Sequence, residues 1–407
     1  MRDAATDQSD GEADGEALDA PPDLAEAETE AVPPGTFEHW RLTTDFITEA
    51  AAVGDLDGDG HPDLVAGQVW WPGPAFDTRY ELDEAPVITP ISGYGKVFLC
   101  FVDDVNGDGR PDVLAVPSPN MQAVWYENPG GRAVWGLAWQ THPIFMPLGG
   151  ESPQYVDLLR DGKRRLVFID TSTLTIGYAE PDADPTQPWL FRPIGKRAYA
   201  QFQHGQGVGD IDGDGRLDVL DAKGWWRQLP PASAGGLPAW EQHDFDFALG
   251  KQGGAQMRVF DVDGDGKNDV VASLDAHGYG LDWFEQQRSA DGTITFVPHE
   301  ILPAAPSPVS FSEPHNLEIG DINGDGLLDL VAGKRPHADE TDPGVDDPPV
   351  LYWFELSRSG GVASFTPHLI DDMTGAGLQV AVRDVNGDGR PDVFTASKKG
   401  ISLHLQK

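Results

Sequence analysis

The stretch Asp55-Leu56-Asp57-Gly58-Asp59-Gly60-His61-Pro62-Asp63 decides how the rest of the chain is read. It recurs as Asp104–Asp112, Asp210–Asp218, Asp261–Asp269, Asp321–Asp329 and Asp384–Asp392, always in the form D-x-[DN]-G-D-G-x-x-D. A degenerate copy, Asp157-Leu158-Leu159-Arg160-Asp161-Gly162-Lys163-Arg164-Arg165, fills the double-length gap between the second and third of these. From Asp55 to Asp384 the repeat takes six steps of roughly 55 residues, the length of four short strands and their turns. Seven such units predict an all-β chain folded as a seven-bladed β-propeller.

The chemistry of the repeat is that of a hard cation. Oxygens at positions 1, 3, 5 and 9, with the carbonyl of position 7, surround one Ca²⁺, and Gly at position 6 permits the sharp turn. The predicted ligands are Asp55, Asp57, Asp59 and Asp63, then Asp104, Asn106, Asp108 and Asp112, then Asp210, Asp212, Asp214 and Asp218. They continue with Asp261, Asp263, Asp265 and Asp269, Asp321, Asn323, Asp325 and Asp329, and Asp384, Asn386, Asp388 and Asp392. An EF-hand needs Glu at position 12 and flanking helices. Here position 12 is Ala66, Ala115, Asp221, Ala272, Ala332 or Thr395, and flanks such as Val113-Leu114-Ala115-Val116 are strand-like. In the degenerate copy Arg160, Lys163, Arg164 and Arg165 stand in for the ion. About six structural Ca²⁺ sites are therefore expected.

The repeats resemble those of the FG-GAP/VCBS family, the integrin-α type of propeller, in which such loops join the first and second strands of a blade. The resemblance covers roughly residues 38–407. It implies a fold rather than a function, since the family includes adhesins, lectins and lyases.

The formal net charge is −39, and residues 1–37 hold eleven acids against the single Arg2. That segment has no apolar period and is expected to be a disordered acidic leader or linker, with the propeller over 38–407. The acidity argues against nucleic acid and anionic membranes as partners. No stretch approaches the ~18 apolar residues of a membrane span, so no membrane insertion is expected. Met1-Arg2-Asp3-Ala4-Ala5 lacks the apolar core of a signal peptide. Asp-rich loops fill best at extracellular Ca²⁺, which points to an extracytoplasmic protein: secreted, periplasmic or surface-tethered. The lone Cys100 forbids an intrachain disulfide, and oligomeric state is left open.

Within each unit the third strand carries aromatics: Trp70-Trp71, Trp125-Tyr126, Trp225-Trp226, Trp283-Phe284 and Trp353-Phe354. A residue type that recurs once per blade is read as inter-blade packing ahead of sugar stacking. His142, His243, His299 and His368 share one fourth-strand position and are read as structural. The last unit has no fourth strand, and Phe37-Glu38-His39-Trp40-Arg41-Leu42 is predicted to supply it, closing the ring.

His204 and His315 lie six residues before a first loop Asp, a register also held by Glu151 and Glu49. That register is the start of each innermost strand, at the face opposite the loops. The connections between second and third strands open on the same face and carry His277, Lys334, Arg335 and His337. His204, His277 and His315, with Glu151, are therefore expected to line one pocket mouth, suited to one Zn²⁺, Mn²⁺ or Mg²⁺ ion or to acid–base work. The alternative is a set of separate hydrogen-bonding groups along a wet channel.

Gln203-His204-Gly205, Gly254-Ala255-Gln256-Met257, Ala276-His277-Gly278-Tyr279-Gly280, Pro314-His315-Asn316, Gly333-Lys334-Arg335 and Lys398-Lys399-Gly400 also resemble the propeller domain of the aldos-2-ulose dehydratase family. This second resemblance implies a carbohydrate-active lyase eliminating water from a small keto-sugar. His204, His277, His315, Glu151, Lys334 and His337 would be its catalytic candidates, with Lys334 stabilising an enolate. The rival expectation is a non-catalytic propeller that binds glycan or protein, as lectins and adhesins do.

Overall fold

The computed structural model describes residues 35–407 except 90–92, 132–134, 234 and 340. The leader expected over residues 1–37 therefore lies, as far as residue 34, outside the described residues. The described residues form twenty-seven strands and no helix, all paired antiparallel.

After β1 (Phe37–Thr43), the strands β2 (Ala52–Gly54), β3 (Asp63–Ala66), β4 (Val69–Trp71) and β5 (Tyr80–Glu81) form a four-stranded meander. Next come β6 (Val97–Asp103), β7 (Asp112–Pro117), β8 (Met121–Glu127) and the long β9 (Gln140–Val156), then β10 (Arg165–Asp170), β11 (Thr175–Glu180) and β12 (Leu190–Lys196). The fourth meander is β13 (Gln206–Gly209), β14 (Asp218–Asp221), β15 (Gly224–Leu229) and β16 (Ala239–Asp244). The fifth is β17 (Arg258–Phe260), β18 (Asp269–Ser273), β19 (Leu281–Arg288) and β20 (Ile294–Leu302). The sixth is β21 (Glu318–Gly320), β22 (Asp329–Gly333), β23 (Leu351–Ser359) and β24 (Val362–Asp371). The chain ends with β25 (Val380–Arg383), β26 (Asp392–Ser397) and β27 (Gly400–Gln406), and β1 pairs with β27 from Phe37↔Gln406 onward.

Seven separate four-stranded sheets were expected, but the second and third units share β9. Its first half pairs with β8 and its second half with β10, making one seven-stranded sheet. Elsewhere a connection such as that between β16 and β17 separates outer from inner strand, whereas Pro147-Leu148-Gly149 continues as strand. First strands of successive units lie side by side: β2 with β6 and β25, β9 with β13, β13 with β17, and β21 with β25.

The core is a series of layers between neighbouring units. Trp70 packs with Val113, Ala115 and Tyr126 of the second unit, and Trp71 with Phe394 and Leu403 of the last. Four fourth-strand histidines lie directly opposite a third-strand tryptophan and stack on it: Trp125–His142, Trp225–His243, Trp283–His299 and Trp353–His368, with centroids 4.3–4.4 Å apart. In three of them the imidazole Nε2 also meets a carboxylate two residues beyond the tryptophan, Glu127, Glu285 or Glu355, at 2.7–2.9 Å. His39 of β1 stacks instead on His404 of β27.

The repeated nonapeptide turns between the first two strands of each unit. In the first copy the Asp55 carboxylate accepts the amides of Gly58, Asp59 and Gly60 at 2.8, 3.1 and 3.0 Å. Gly58 and Gly60 take φ of 72° and 90°, the left-handed region that glycine enters without cost. Loop position 9 is buried in all six copies, and its two oxygens accept one amide from loop position 2 and one from the third-strand side. Asp218, for example, accepts Ile211 and Gln228, both at 2.9 Å. Side-chain amides then tie three of these loops to the next unit: Asn128 donates to the Leu56 carbonyl, Gln286 to that of Ile211 and Gln406 to that of Ile322, each at 2.7 Å.

Candidate metal centre

Three histidines from three units meet at the ends of the inner strands away from these loops. His204 precedes β13, His315 precedes β21, and His277 sits in the β18–β19 connection. One nitrogen from each lies within 4.8 Å of the others. The ring centroids are 5.2–5.4 Å apart and the planes nearly perpendicular, with interplanar angles of 72°, 85° and 90°. Rings so arranged do not stack; their edges converge.

The nitrogens at the centre are unusual for buried groups. Nδ1 of His204 and Nε2 of His315 are buried and have no hydrogen-bond partner. Leaving a buried polar atom unpaired costs about 1–3 kcal/mol. The other nitrogens of two of the rings are held from behind. His277 Nδ1 contacts Asp342 Oδ2 at 2.7 Å, and His315 Nδ1 donates to the Glu313 carbonyl at 3.2 Å. Each contact leaves the Nε2 lone pair free to face the cluster.

Glu151 completes the group, with Oε2 3.9 Å from both His204 Nδ1 and His315 Nε2. The same oxygen is 3.3 Å from Arg335 Nη1, while Arg335 Nε and Nη2 make a two-pronged pair with Glu49 at 2.7 and 2.9 Å. Burial pushes the Glu151 carboxyl upward, against the pull of Arg335. Burial, with the His277 and Arg335 charges, lowers His204 to about 3, and His315 falls well below the usual imidazole range for the same leading reason. The ligand-competent neutral imidazole is thus the form these two rings hold at neutral pH. The two carboxylates, Glu49 and Glu151, face two buried cations, Arg335 and Lys398, beside the uncharged rings of His204 and His315.

The remaining predicted residues lie apart from this group. Lys334 is buried, but its ammonium donates to Ser312 Oγ at 2.6 Å and the Gly344 carbonyl at 2.7 Å and pairs with Glu313. Its ammonium is thus partnered by groups other than the three histidines. His337 is part-exposed, 3.5 Å from Lys399 Nζ, in a 290 Å³ cavity with Val345 and Asp347. Sequence reasoning gave no part to Asp342 or Glu313, which lie in connections outside the repeat register.

At the loop face, oxygens of Asp55, Asp57 and Asp63, of Asp210, Asp212 and Asp218, and of Asp261, Asp263 and Asp265 are grouped within 4.8 Å. Position 7 side chains neutralise position 5 carboxylates in four loops: Arg110–Asp108, Arg216–Asp214, Lys267–Asp265 and Arg390–Asp388. The degenerate loop keeps the turn, with Arg160 at φ 52° where the others have glycine. Its position 9 is Arg165, whose Nη1 and Nη2 both reach Asp161 at 2.8 Å while Nε meets Glu180 at 3.2 Å. A guanidinium lies where the other loops present a ninth-position carboxylate.

Residues 261–332 match the FG-GAP-like repeat family and residues 48–68 the FG-GAP repeat family, segments that contain three of the nonapeptides. No curated protein matches. Among solved structures, the chain is similar to the Vibrio cholerae biofilm matrix protein Bap1 at 14% identity and a TM-score of 0.35, covering 84% of this chain and 45% of that one. It therefore spans less than half the length of Bap1. A putative 6-phosphogluconolactonase from Bacteroides uniformis matches at 13% identity and a TM-score of 0.43, over 85% of this chain and 88% of that one. Likenesses this distant carry no functional argument.

Proposed function

We propose that this chain, two segments of which match FG-GAP-type repeats and which is all-β over its described residues, is an extracytoplasmic seven-bladed propeller with a carbon–oxygen lyase site for keto-sugars. In this reading each four-stranded unit is a blade, β9 serves two blades, and β1 closes the ring beside β27. Six loops each take one Ca²⁺, while Arg165 replaces the ion in the third blade. Loops of this kind fill at extracellular calcium, which favours a location outside the cytoplasm. No helix among the described residues is long and apolar enough to cross a membrane.

The observation that carries the catalytic part is the convergence of His204, His277 and His315 with two buried, unpartnered nitrogens. Three imidazoles with open lone pairs suit Zn²⁺ or Mn²⁺ better than Mg²⁺, which prefers oxygen. When bound, such an ion supplies a Lewis acid that polarises a substrate carbonyl. Glu151, made more basic by burial, takes the proton from the carbon next to that carbonyl. A carbon–carbon double bond forms as the β carbon–oxygen bond breaks, and the hydroxyl leaves as water with the proton that Glu151 returns. Arg335 holds Glu151 in place, and Asp342 orients His277.

Incubation of the metal-loaded protein with 2-keto-D-glucose tests this. An ultraviolet-absorbing unsaturated product is expected from the wild type and at least 100-fold less from Glu151→Gln, the loss a general base supplies. Binding of the sugar without turnover in either protein would replace the lyase with a glycan-binding propeller.

A further inference from the structure

Glu313 is a buried residue whose backbone stands in the left-handed region, at φ 59°. A side chain with a Cβ avoids that conformation unless its surroundings impose it. What the conformation achieves can be read from its hydrogen bonds. The Glu313 carbonyl accepts three donors: the His315 amide at 2.9 Å, the Arg335 amide at 3.1 Å and the His315 ring Nδ1 at 3.2 Å. Its amide donates to Gly278, next to His277, at 2.8 Å. Its carboxylate accepts the Ala338 amide at 3.0 Å and lies 3.6 Å from the Lys334 ammonium. Lys334 in turn holds the Gly344 carbonyl, in the same connection as Asp342, at 2.7 Å. One residue thus touches the segments that carry two of the three histidines and anchors the loop that carries the partner of His277.

We propose that Glu313 is the positioning residue of the histidine centre: its left-handed backbone aims a carbonyl at His315 Nδ1 and so fixes the tautomer that leaves Nε2 bare toward the cluster. This rests on the metal-centre reading above for its purpose, but not for its test. The side chain, braced by Ala338 and Lys334, keeps the backbone turned. Glycine can hold the same turn without a brace, whereas alanine keeps the Cβ and loses the brace.

The test uses the full chain, metal-free, with ¹⁵N-labelled histidine, and reads the ring nitrogens of His315 by long-range ¹H–¹⁵N correlation, assigned with His315→Asn. Wild type and Glu313→Gly are expected to show a protonated Nδ1 and a bare Nε2, and Glu313→Ala to lose that pattern to a mixture. Zn²⁺ affinity, measured separately, should fall 10- to 100-fold for alanine and less for glycine, as it does when groups behind metal ligands are removed. A wild-type His315 protonated on Nε2, or a glycine variant that loses the pattern, overturns the proposal, and neither result depends on alanine folding. A Glu313-dependent tautomer in a protein that takes up no Zn²⁺ upholds the positioning role and sinks the metal reading instead.

Discussion

The two ends of the inner strands handle charge in opposite ways. At the loop end, position 5 carboxylates such as Asp59, Asp108 and Asp214 are exposed to water, and the side-chain oxygens of each loop come from nine consecutive residues. At the other end Glu49, Glu151, His204, His315, Lys334 and Arg335 are all buried, and they come from segments as far apart as 49 and 335. A solvated local cage can gain or lose an ion with little rearrangement, so it suits a stabilising role. A buried, non-local cluster must be assembled by the whole fold, and its charges keep one geometry because every alternative leaves one unpaired. Chemistry is thus expected at the second end and bracing at the first.

Chelation should produce the largest difference between the ends. A site held at 100 times its Kd contributes about 2.7 kcal/mol, so stripping Ca²⁺ from six loops should lower stability by about 16 kcal/mol. Calorimetry with and without a calcium-selective chelator measures this, and the fall should be the same in His204→Ala. An unchanged melting temperature would mean that the loops are acidic turns and nothing more.

The third loop sharpens the comparison from within. Arg165→Met removes the nearly buried guanidinium from the half-exposed Asp161 and from Glu180, which keeps Arg192, and about 2 kcal/mol of charge-assisted hydrogen bonding should be lost in urea unfolding, with calcium stoichiometry unchanged. Uptake of an extra Ca²⁺ by this variant would show that the guanidinium had merely been blocking a working site.

Asp282 provides a pH test near the buried end. This carboxyl sits opposite Glu300 on the paired strand, and burial first, then the Glu300 charge, raises it from 3.8 to about 7. A raised carboxyl favours the folded state only while protonated. Its contribution is whole below pH 4 and is lost as pH climbs through about 7. Asp282→Asn should therefore be more stable than wild type by about 2 kcal/mol at pH 8, with the advantage gone at pH 4. Equal stability at both values would remove the buried charge from the account.

What the sequence displays follows from the same contrast. The loops are legible because nine adjacent residues contain their whole chemistry, and their spacing also yields the strand count. His204, His315 and Glu151 become visible only by counting back six residues from each first loop Asp, since inner strands share one register. His277 lies outside that register and is placed by its position between second and third strands. Asp342 and Glu313 escape altogether, because a backbone carbonyl turned by a left-handed residue leaves no mark in residue type. The partners of Lys334 are hidden for a related reason: Ser312 and Gly344, which accept hydrogen bonds from its ammonium, lie outside any motif. The shared β9 is hidden as well, since nothing in Pro147-Leu148-Gly149-Gly150 reads as continuing strand.

The smallest effect expected belongs to the outer stacks. His299→Ala removes the imidazole from Trp283 and should cost about 1 kcal/mol while leaving every metal in place. A change in bound metal would mean that these repeating histidines do more than pack.

The central claim, two kinds of metal site at two ends of one set of strands, is tested most directly by elemental analysis. Wild type and the His204→Ala/His315→Ala double variant would be equilibrated with Ca²⁺ and Zn²⁺ and freed of unbound ions by gel filtration. One Zn²⁺ per chain in the wild type, none in the variant and about six Ca²⁺ in both is the predicted result. Equal zinc in the two proteins, or none in either, would contradict it.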